Sequence, residues 1–265
     1  MTTNKRVSVT EIDTYNKCPR LWRYKFKDGL RTKELNQAMV SGTAIHAGVE
    51  ALSLGRDGVT AALDTLAELA GERGERFKRG VLTALDGLPD WVAKVKSPVT
   101  EDKLEVVYGS ITVVGRPDIW FQEGDTIEIW DYKSTSKDED RRLSQYDQWN
   151  DQPRFYGVLL HDHLISQGIN PPPIIYTGHI ILSTRGKHAV GTPTILAGKL
   201  LDDTRERMLD LAAAVGEHET MHMSAFNCGM CDFSKLCEGA LTGYPLGDIV
   251  EQEYTRDERR THPIT

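Results

Sequence analysis

A chain of 265 residues, with 39% hydrophobic and 27% charged side chains, is long enough for one large apolar core and too mixed in composition for a fibrous or disordered protein. Its net charge of −7 gives no global attraction for nucleic acid, and no apolar run reaches the ~18 residues that a membrane span requires. The start, Met1-Thr2-Thr3-Asn4-Lys5-Arg6, has charge without an apolar stretch behind it, which argues against a secretory leader and for the cytosol. We expect one domain over 1–265, with no membrane contact.

Ser8-Val9-Thr10-Glu11 reads as a capping box that opens a helix carrying Ile12, Tyr15 and Leu21 inward, with Pro19 kinking or ending it. From Lys17 to Lys33 seven basic residues, Arg20 and Arg23 among them, face Asp28 alone and interleave with Trp22, Tyr24 and Phe26. That pattern suits either a strand of nucleic acid, tracked by cations and stacked on aromatics, or a solvated amphipathic helix whose aromatics are core. Apolar spacing predicts helices over 41–54, which puts His46 and Glu50 one turn apart, over 59–70, and over 75–95 with a break at Gly87-Leu88-Pro89-Asp90. Strands follow at 104–108, 111–114, 119–121 and 126–133, a meander of short antiparallel strands turning at Gly109-Ser110 and Glu123-Gly124-Asp125. A helix over 149–167, a strand over 174–182 and a helix over 199–219 complete the core, and 251–260 forms a charged tail, helical or loose. The order implies an α/β fold, a central mixed sheet flanked by helices.

Asp131 and Lys133 are two apart in a predicted strand, so both leave the same face. A carboxylate there can hold a hard divalent cation while the ammonium orients water and balances charge on a phosphodiester, and the Tyr132 carbonyl offers a further oxygen. Asp118, in Gly115-Arg116-Pro117-Asp118, can reach the same cation from the adjacent strand. The apolar surroundings, Ile127, Ile129 and Trp130 before one motif and Pro117, Ile119 and Trp120 around the other, favour paired or metal-bound charges over a solvated face. Four cysteines are split between the ends: Cys18 alone, then Cys228, Cys231 and Cys237. In a reducing compartment this spacing suits a tetrahedral thiolate site joining the N-terminal and C-terminal segments; spacing does not separate iron from zinc.

These motifs resemble the PD-(D/E)XK nucleases, in particular the RecB-like exonuclease branch and its CRISPR-associated and phage-encoded iron-sulfur members. Gly115-Arg116-Pro117-Asp118 and Asp131-Tyr132-Lys133 stand for the two signature halves, with Asp where many members have Glu. His46 in Ser41-Gly42-Thr43-Ala44-Ile45-His46 matches the upstream family histidine, and Gln152-Pro153-Arg154-Phe155-Tyr156 matches the downstream Gln-x-x-x-Tyr motif. The resemblance implies a restriction-endonuclease-like core over about 41–200, cluster-binding and helical flanks over 8–40 and 200–240, and a tail over 241–265. It further implies Mn2+ or Mg2+ held by His46, Asp118, Asp131 and the Tyr132 carbonyl, and catalysis by Asp118, Asp131 and Lys133. DNA contact or support falls to Gln152 and Tyr156, with the basic Arg20 and Arg23, and a 4Fe-4S cluster to Cys18, Cys228, Cys231 and Cys237, with zinc as the alternative. The expected activity is exonucleolytic hydrolysis of single-stranded DNA ends, in phage recombination, repair or CRISPR-type processing, alongside helicase, recombination or CRISPR adaptation proteins.

Each motif has a plainer reading. His46 can be a core histidine bonded to a backbone carbonyl, Gln152 and Tyr156 a surface pair one turn apart, and Glu105 is left outside the site. Gly198-Lys199-Leu200 lacks the flanking residues of a phosphate-binding loop, so a motor would be a separate protein. No Gly-x-Ser-x-Gly elbow and no His-Glu-x-x-His helix occurs. The competing function is a DNA-end binding subunit that recognises more than it cleaves.

Overall fold

The computed structural model describes residues 4–34, 36–90, 92, 95–136, 138–141, 143, 150–218, 228–229 and 231–257. Strand β1 (Lys5–Ser8) runs into α1 (Val9–Lys17) through the capping box: Ser8 Oγ accepts from Glu11 N at 3.2 Å, and Glu11 Oε2 accepts from Ser8 N at 2.9 Å. Cys18 is extended, ending α1, and Pro19 takes the first position of the short α2 (Pro19–Trp22), where its missing N–H is not needed. A π-helical turn (Arg23–Lys27) leads to β2 (Leu30–Thr32). Then come α3 (Gln37–Ser53), α4 (Gly58–Ala70) and α5 (Glu75–Asp86), the first two capped by the Asn36 and Asp57 side chains.

The strands β3 (Val99–Thr100), β4 (Leu104–Tyr108), β5 (Ile111–Gly115), β6 (Ile119–Glu123) and β7 (Thr126–Thr135) precede α6 (Gln152–Ser166) and β8 (Ile174–Ser183). The chain continues through β9 (His188–Val190), β10 (Thr194–Leu196), α7 (Gly198–Ala214), α8 (Ser234–Thr242), α9 (Leu246–Glu253) and β11 (Tyr254–Arg256). The expected helix start at Trp149 and end at Glu219 lie outside the described residues, as does the tail beyond Asp257.

The chain divides into two compact units. The larger, Asn36–Val106 with Val114–Glu206, holds a mixed sheet ordered β10-β8-β7-β6-β3. Its centre is the parallel pair β7/β8, in register from Thr126↔Ile174 to Thr135↔Ser183, and β6 and β3 add antiparallel on one side. A parallel pair needs a crossover, which contains α6. Close contacts place α6 and α3 on opposite faces. Gly157 of α6 lies so near Thr177, Ile175 and Leu196 that a Cβ there would stand 2.6 Å from Leu196, while Gly42 of α3 approaches Ser134. The apolar interior, with Ile127, Ile129, Leu159, Leu160, Ile175 and Ile180 buried, fills these layers.

The expected single meander is instead split. The β4–β5 hairpin belongs to a three-stranded sheet ordered β1-β5-β4, and β6–β7 to the mixed sheet. Pro117 accounts for the break, because it has no N–H to give a ladder and stands in the unpaired 116–118 segment between β5 and β6.

The smaller unit comprises Met1–Leu35, Val107–Val113 and Arg207–Thr265. Its core is Tyr24, Leu30, Phe233, Leu236 and Tyr254. Phe233 stacks on Tyr254 at 5.4 Å and lies tilted against Tyr24 at 5.6 Å. Strand β11 pairs antiparallel with β2 (Tyr254↔Thr32, Arg256↔Leu30), so in the charged tail expected to be helical or loose, residues up to Glu253 are helical and Tyr254–Arg256 join a sheet. Two flanking bonds, Lys33 N to Glu253 O and Asp257 N to Gly29 O, both 2.8 Å, extend the pairing. Lys5 Nζ donates to Ala213 O (2.6 Å) and Val215 O (2.7 Å), a cation on the carbonyl end of α7. Of the interleaved aromatics, Trp22 and Tyr24 are buried in the core, while Phe26 is half-buried with the Lys25 ammonium 5.4 Å from its ring centroid.

Candidate active site

The register of the mixed sheet builds the site. Thr100 faces Ile119 and Ile119 faces Trp130, so one residue further along Glu101, Asp118 and Asp131 fall in a transverse row, and Asp131 is itself the register partner of His179 on β8. Beyond the start of β6 the Tyr132 N–H has no strand to bond and donates to Asp118 Oδ2 at 2.7 Å. Asp118 Oδ1 lies 3.5 Å from His46 Nδ1, and the His46 ring meets Tyr132 edge-on at 6.3 Å. Asp131, 2% exposed, takes the Lys133 ammonium at 2.5 Å on the shared face that the period of two requires. Lys133 Nζ also donates to Gln152 Oε1 at 3.4 Å, and Gln152 Nε2 to Tyr156 OH at 3.2 Å. Gly115 is needed for this last contact, since a Cβ there would stand 2.8 Å from the Tyr156 ring and 2.9 Å from Leu159.

Asp118, Asp131, Lys133, His46, Gln152 and Tyr156 therefore come together in the larger unit. Arg20 and Arg23 belong to the smaller one, where Arg23 pairs with Asp28 at 3.5 Å. Glu105 pairs with Lys103 at 3.3 Å.

Burial acts on all these groups, and their partners decide the direction. Burial would lower the proton affinity of His46, but the adjacent Asp118 overcomes it and leaves the imidazole above its ordinary pKa. Asp118, pushed up by burial, ends below the usual carboxylate range because His46, Lys133 and the Tyr132 N–H favour its anion. Asp131 ends above that range: burial dominates and the Asp118 charge adds to it, against the pull of Lys133 and His179. The two carboxylates thus titrate apart, as neighbouring acids do when one finds the better cationic partners.

Sequence reasoning missed two members of the row. Glu101 sits in the left-handed region (φ 50°) just past β3, and its pKa is pushed up to about 6 by burial and then by Asp118. A strand of only two residues leaves no periodic signal to place it. His179, 2% exposed, has Nε2 3.9 Å from Asp131 Oδ2; a histidine inside the apolar run of 174–182 was the available sign.

Among the described residues no three His, Cys, Asp or Glu side chains stand as a preformed ligating group. At the carboxylates, Lys133 pairs with Asp131 and His46 lies beside Asp118. The donor chemistry, carboxylate oxygens with one imidazole, fits a hard divalent ion.

In the smaller unit the four cysteines are partly exposed and carry free thiols. Burial raises the Cys231 and Cys237 thiols above their ordinary pKa, and neighbouring cysteines push the same way, Cys237 and Cys18 on Cys231, Cys18 and Cys228 on Cys237. Cys237 therefore lies within electrostatic reach of Cys18, Cys228 and Cys231. Cys231 and Cys237 pack against the aromatic core, and what joins the two ends in this structure is that core and the β2/β11 pairing. Thiols so placed stay protonated until a metal displaces the protons.

The chain belongs to the PD-(D/E)XK nuclease superfamily, whose family model matches residues 6–238. Nucleases of this superfamily use divalent metals such as Mg2+ or Mn2+, and the mixed sheet flanked by helices is consistent with their core. Among solved structures, the chain is similar to the protein SSO0001 (14% identity, 89% of this chain and 88% of that one, TM-score 0.45). It is also similar to a Eubacterium rectale protein titled "Putative exonuclease" (10% identity, 82% and 83%, TM-score 0.49). No curated protein matches it. Among the described residues no helix is long and apolar enough to cross a membrane.

Proposed function

We propose that this chain is a divalent-metal-dependent deoxyribonuclease of the RecB-like branch that shortens single-stranded DNA from its ends. The observation that supports it most is the convergence of Asp118, Asp131 and Lys133 with His46 on one side and Gln152 on the other. Asp118, Asp131, His46 and the Tyr132 carbonyl would hold Mg2+ or Mn2+; in an extended strand the N–H and C=O of one residue leave the same edge, so the carbonyl shares the Asp118 side with the N–H. The ion, when bound, supplies a water of lowered pKa and offsets charge on the phosphate.

The protein's own groups do the rest. With an ion held there, the Lys133 ammonium would orient the water and stabilise growing negative charge. Gln152 limits where that ammonium can go, and Tyr156 fixes Gln152. His46 and the Tyr132 N–H hold Asp118 ionised, so one carboxylate is ready at neutral pH without metal. Arg20 and Arg23 are assigned to support of the DNA strand. The four cysteines are assigned to a structural 4Fe-4S cluster, with zinc as the alternative, on the strength of their spacing in the sequence and of all four falling in the smaller unit. A cytoplasmic setting in phage recombination, repair or CRISPR-type processing, beside a separate helicase or recombination protein, accords with this chemistry.

The test is a time course on end-labelled single-stranded DNA with Mn2+, Mg2+ or chelator. Progressive shortening with either metal and none with chelator is expected; binding without cleavage under every divalent ion would contradict the proposal and favour a DNA-end binding subunit.

A further inference from the structure

On the α6 face of the mixed sheet, one strand over from Asp131, lies a partly open cavity of about 30 Å³. Asn150 and Arg154, at the first turn of α6, form one side; Thr177 and His179 of β8 form the floor, with Thr192 and Thr194 opposite. Thr177 and His179 share the face of Asp131, since Ile129 pairs with Thr177 and Asp131 with His179. The same helical turn sends Gln152 to Lys133, so cavity and carboxylates are served by one short stretch of chain.

Its lining holds an amide, a guanidinium, an imidazole and three hydroxyls, and no carboxylate. The N-terminal end of a 15-residue helix adds its positive dipole end, although Gln152 N is taken by Asn150 and Pro153 has no N–H. Two buried side chains are oriented for a guest. Thr177 Oγ1 (residue 2% exposed) and Asn150 Nδ2 (5% exposed) have no hydrogen-bond partner among the described residues, and buried polar groups rarely stay so. Asn150 already uses its Oδ1 to accept from Gln152 N at 2.9 Å, which turns its amide N–H2 away from the helix end it caps. Arg154 donates to Asp151 Oδ1 at 2.9 Å, a contact that steadies the guanidinium beside the cavity.

We propose that this cavity is a subsite for a phosphate group of the nucleic-acid strand, adjacent to the phosphate held at Asp118 and Asp131. The assignment of the phosphate to a DNA strand rests on the nuclease reading; the affinity for phosphate does not. With this subsite filled, the strand is gripped at two successive points and the scissile group is positioned by its neighbour. The group is either a phosphodiester within the strand or a terminal phosphomonoester.

Thr177→Val keeps the shape and removes the hydroxyl. Asn150→Asp keeps the oxygen that caps α6 while replacing the amide donor with a negative charge. In the full-length protein, each variant is expected to raise KM for single-stranded DNA about tenfold or more, the size expected for hydrogen bonds to a charged acceptor, with kcat within about twofold of wild type. Inorganic phosphate, titrated calorimetrically into the metal-free protein, should bind wild type and lose that binding in both variants. Oligonucleotides with 5′-phosphate, 5′-hydroxyl and 3′-phosphate ends separate the sources: a KM advantage for one phosphorylated end that vanishes in the variants identifies a terminal phosphate, and equal losses on all of them identify an internal one. Unchanged KM and unchanged phosphate binding in both variants would overturn the subsite and leave a cavity that holds only water. Phosphate binding lost in the variants, with no cleavage by wild type under any metal, would keep the subsite and remove the nuclease reading.

Discussion

The two units of this chain assemble their reactive side chains by opposite means. In the larger unit, Asp118 and Asp131 are set by paired strands and already have basic side chains beside them, Lys133 at 2.5 Å from Asp131 and His46 at 3.5 Å from Asp118. In the smaller unit, Cys231 and Cys237 pack against a five-residue aromatic and aliphatic core, with Cys18 acting on both and Arg20 acting on Cys237. A site built on a sheet has its geometry set by the register before any ligand binds. A thiolate site is completed by its metal, because proton loss and ligation occur together.

The largest expected effect lies in the larger unit. Asp118→Asn should reduce the cleavage rate by about 10³-fold, in the range found when charge stabilisation is removed from a preorganised site, while circular dichroism stays that of wild type. Retained activity in that variant would remove Asp118 from the chemistry.

Next in size is a change in the smaller unit. Tyr254→Ala removes the ring stacked on Phe233 and the hydroxyl that donates to Asp232 O at 2.7 Å. A loss of about 3–5 kcal/mol in denaturant unfolding is expected. A loss below about 1 kcal/mol would mean that the β2/β11 joint contributes little and that the cysteines alone tie the ends.

A smaller effect tests how Lys133 is positioned. Gln152→Ala should lower kcat about tenfold with a smaller change in KM, because the ammonium loses its hydrogen bond to the amide while the ion pair to Asp131 remains. A pure rise in KM would place Gln152 on the DNA instead.

The smallest effect has a sign that distinguishes the two carboxylates. Because Asp131 is raised above its ordinary 3.8, the folded state binds its proton more tightly than the unfolded state, and stability falls as pH rises from that ordinary value through the raised one. Asp131→Asn, which stays neutral, should therefore have a higher Tm than wild type in chelator at pH 7, with the gap closing towards pH 4. Asp118 is lowered, so its contribution is present above the ordinary carboxylate pKa and lost as pH falls through the depressed one; Asp118→Asn should lower the Tm at pH 7. Equal shifts of the same sign in both variants would contradict the electrostatic assignment.

How much was legible in the sequence follows from the length of the elements. Asp131 and Lys133 lie in a ten-residue strand with a clear period of two, so their shared face could be read directly. His46 sits in a 17-residue helix whose period placed it. Glu101 follows a two-residue strand, and β2 and β11 have three residues each, too short for periodicity to separate strand from loop. The split of the meander at Pro117 was written in the chain, yet sequence spacing alone did not say which sheet each half would join. His179 required the parallel register of β7 with β8, a long-range fact carried by neither strand by itself.

The most direct test of the central claim is single-turnover cleavage of end-labelled single-stranded DNA by Lys133→Ala and wild type, side by side with Mn2+ at saturating protein. Lys133 touches both the carboxylate and the glutamine of the site. We predict a rate lower by about 10²–10³-fold with DNA binding preserved. Cleavage within about twofold of wild type would contradict the account, since the chemistry would then proceed without the group around which the site is built.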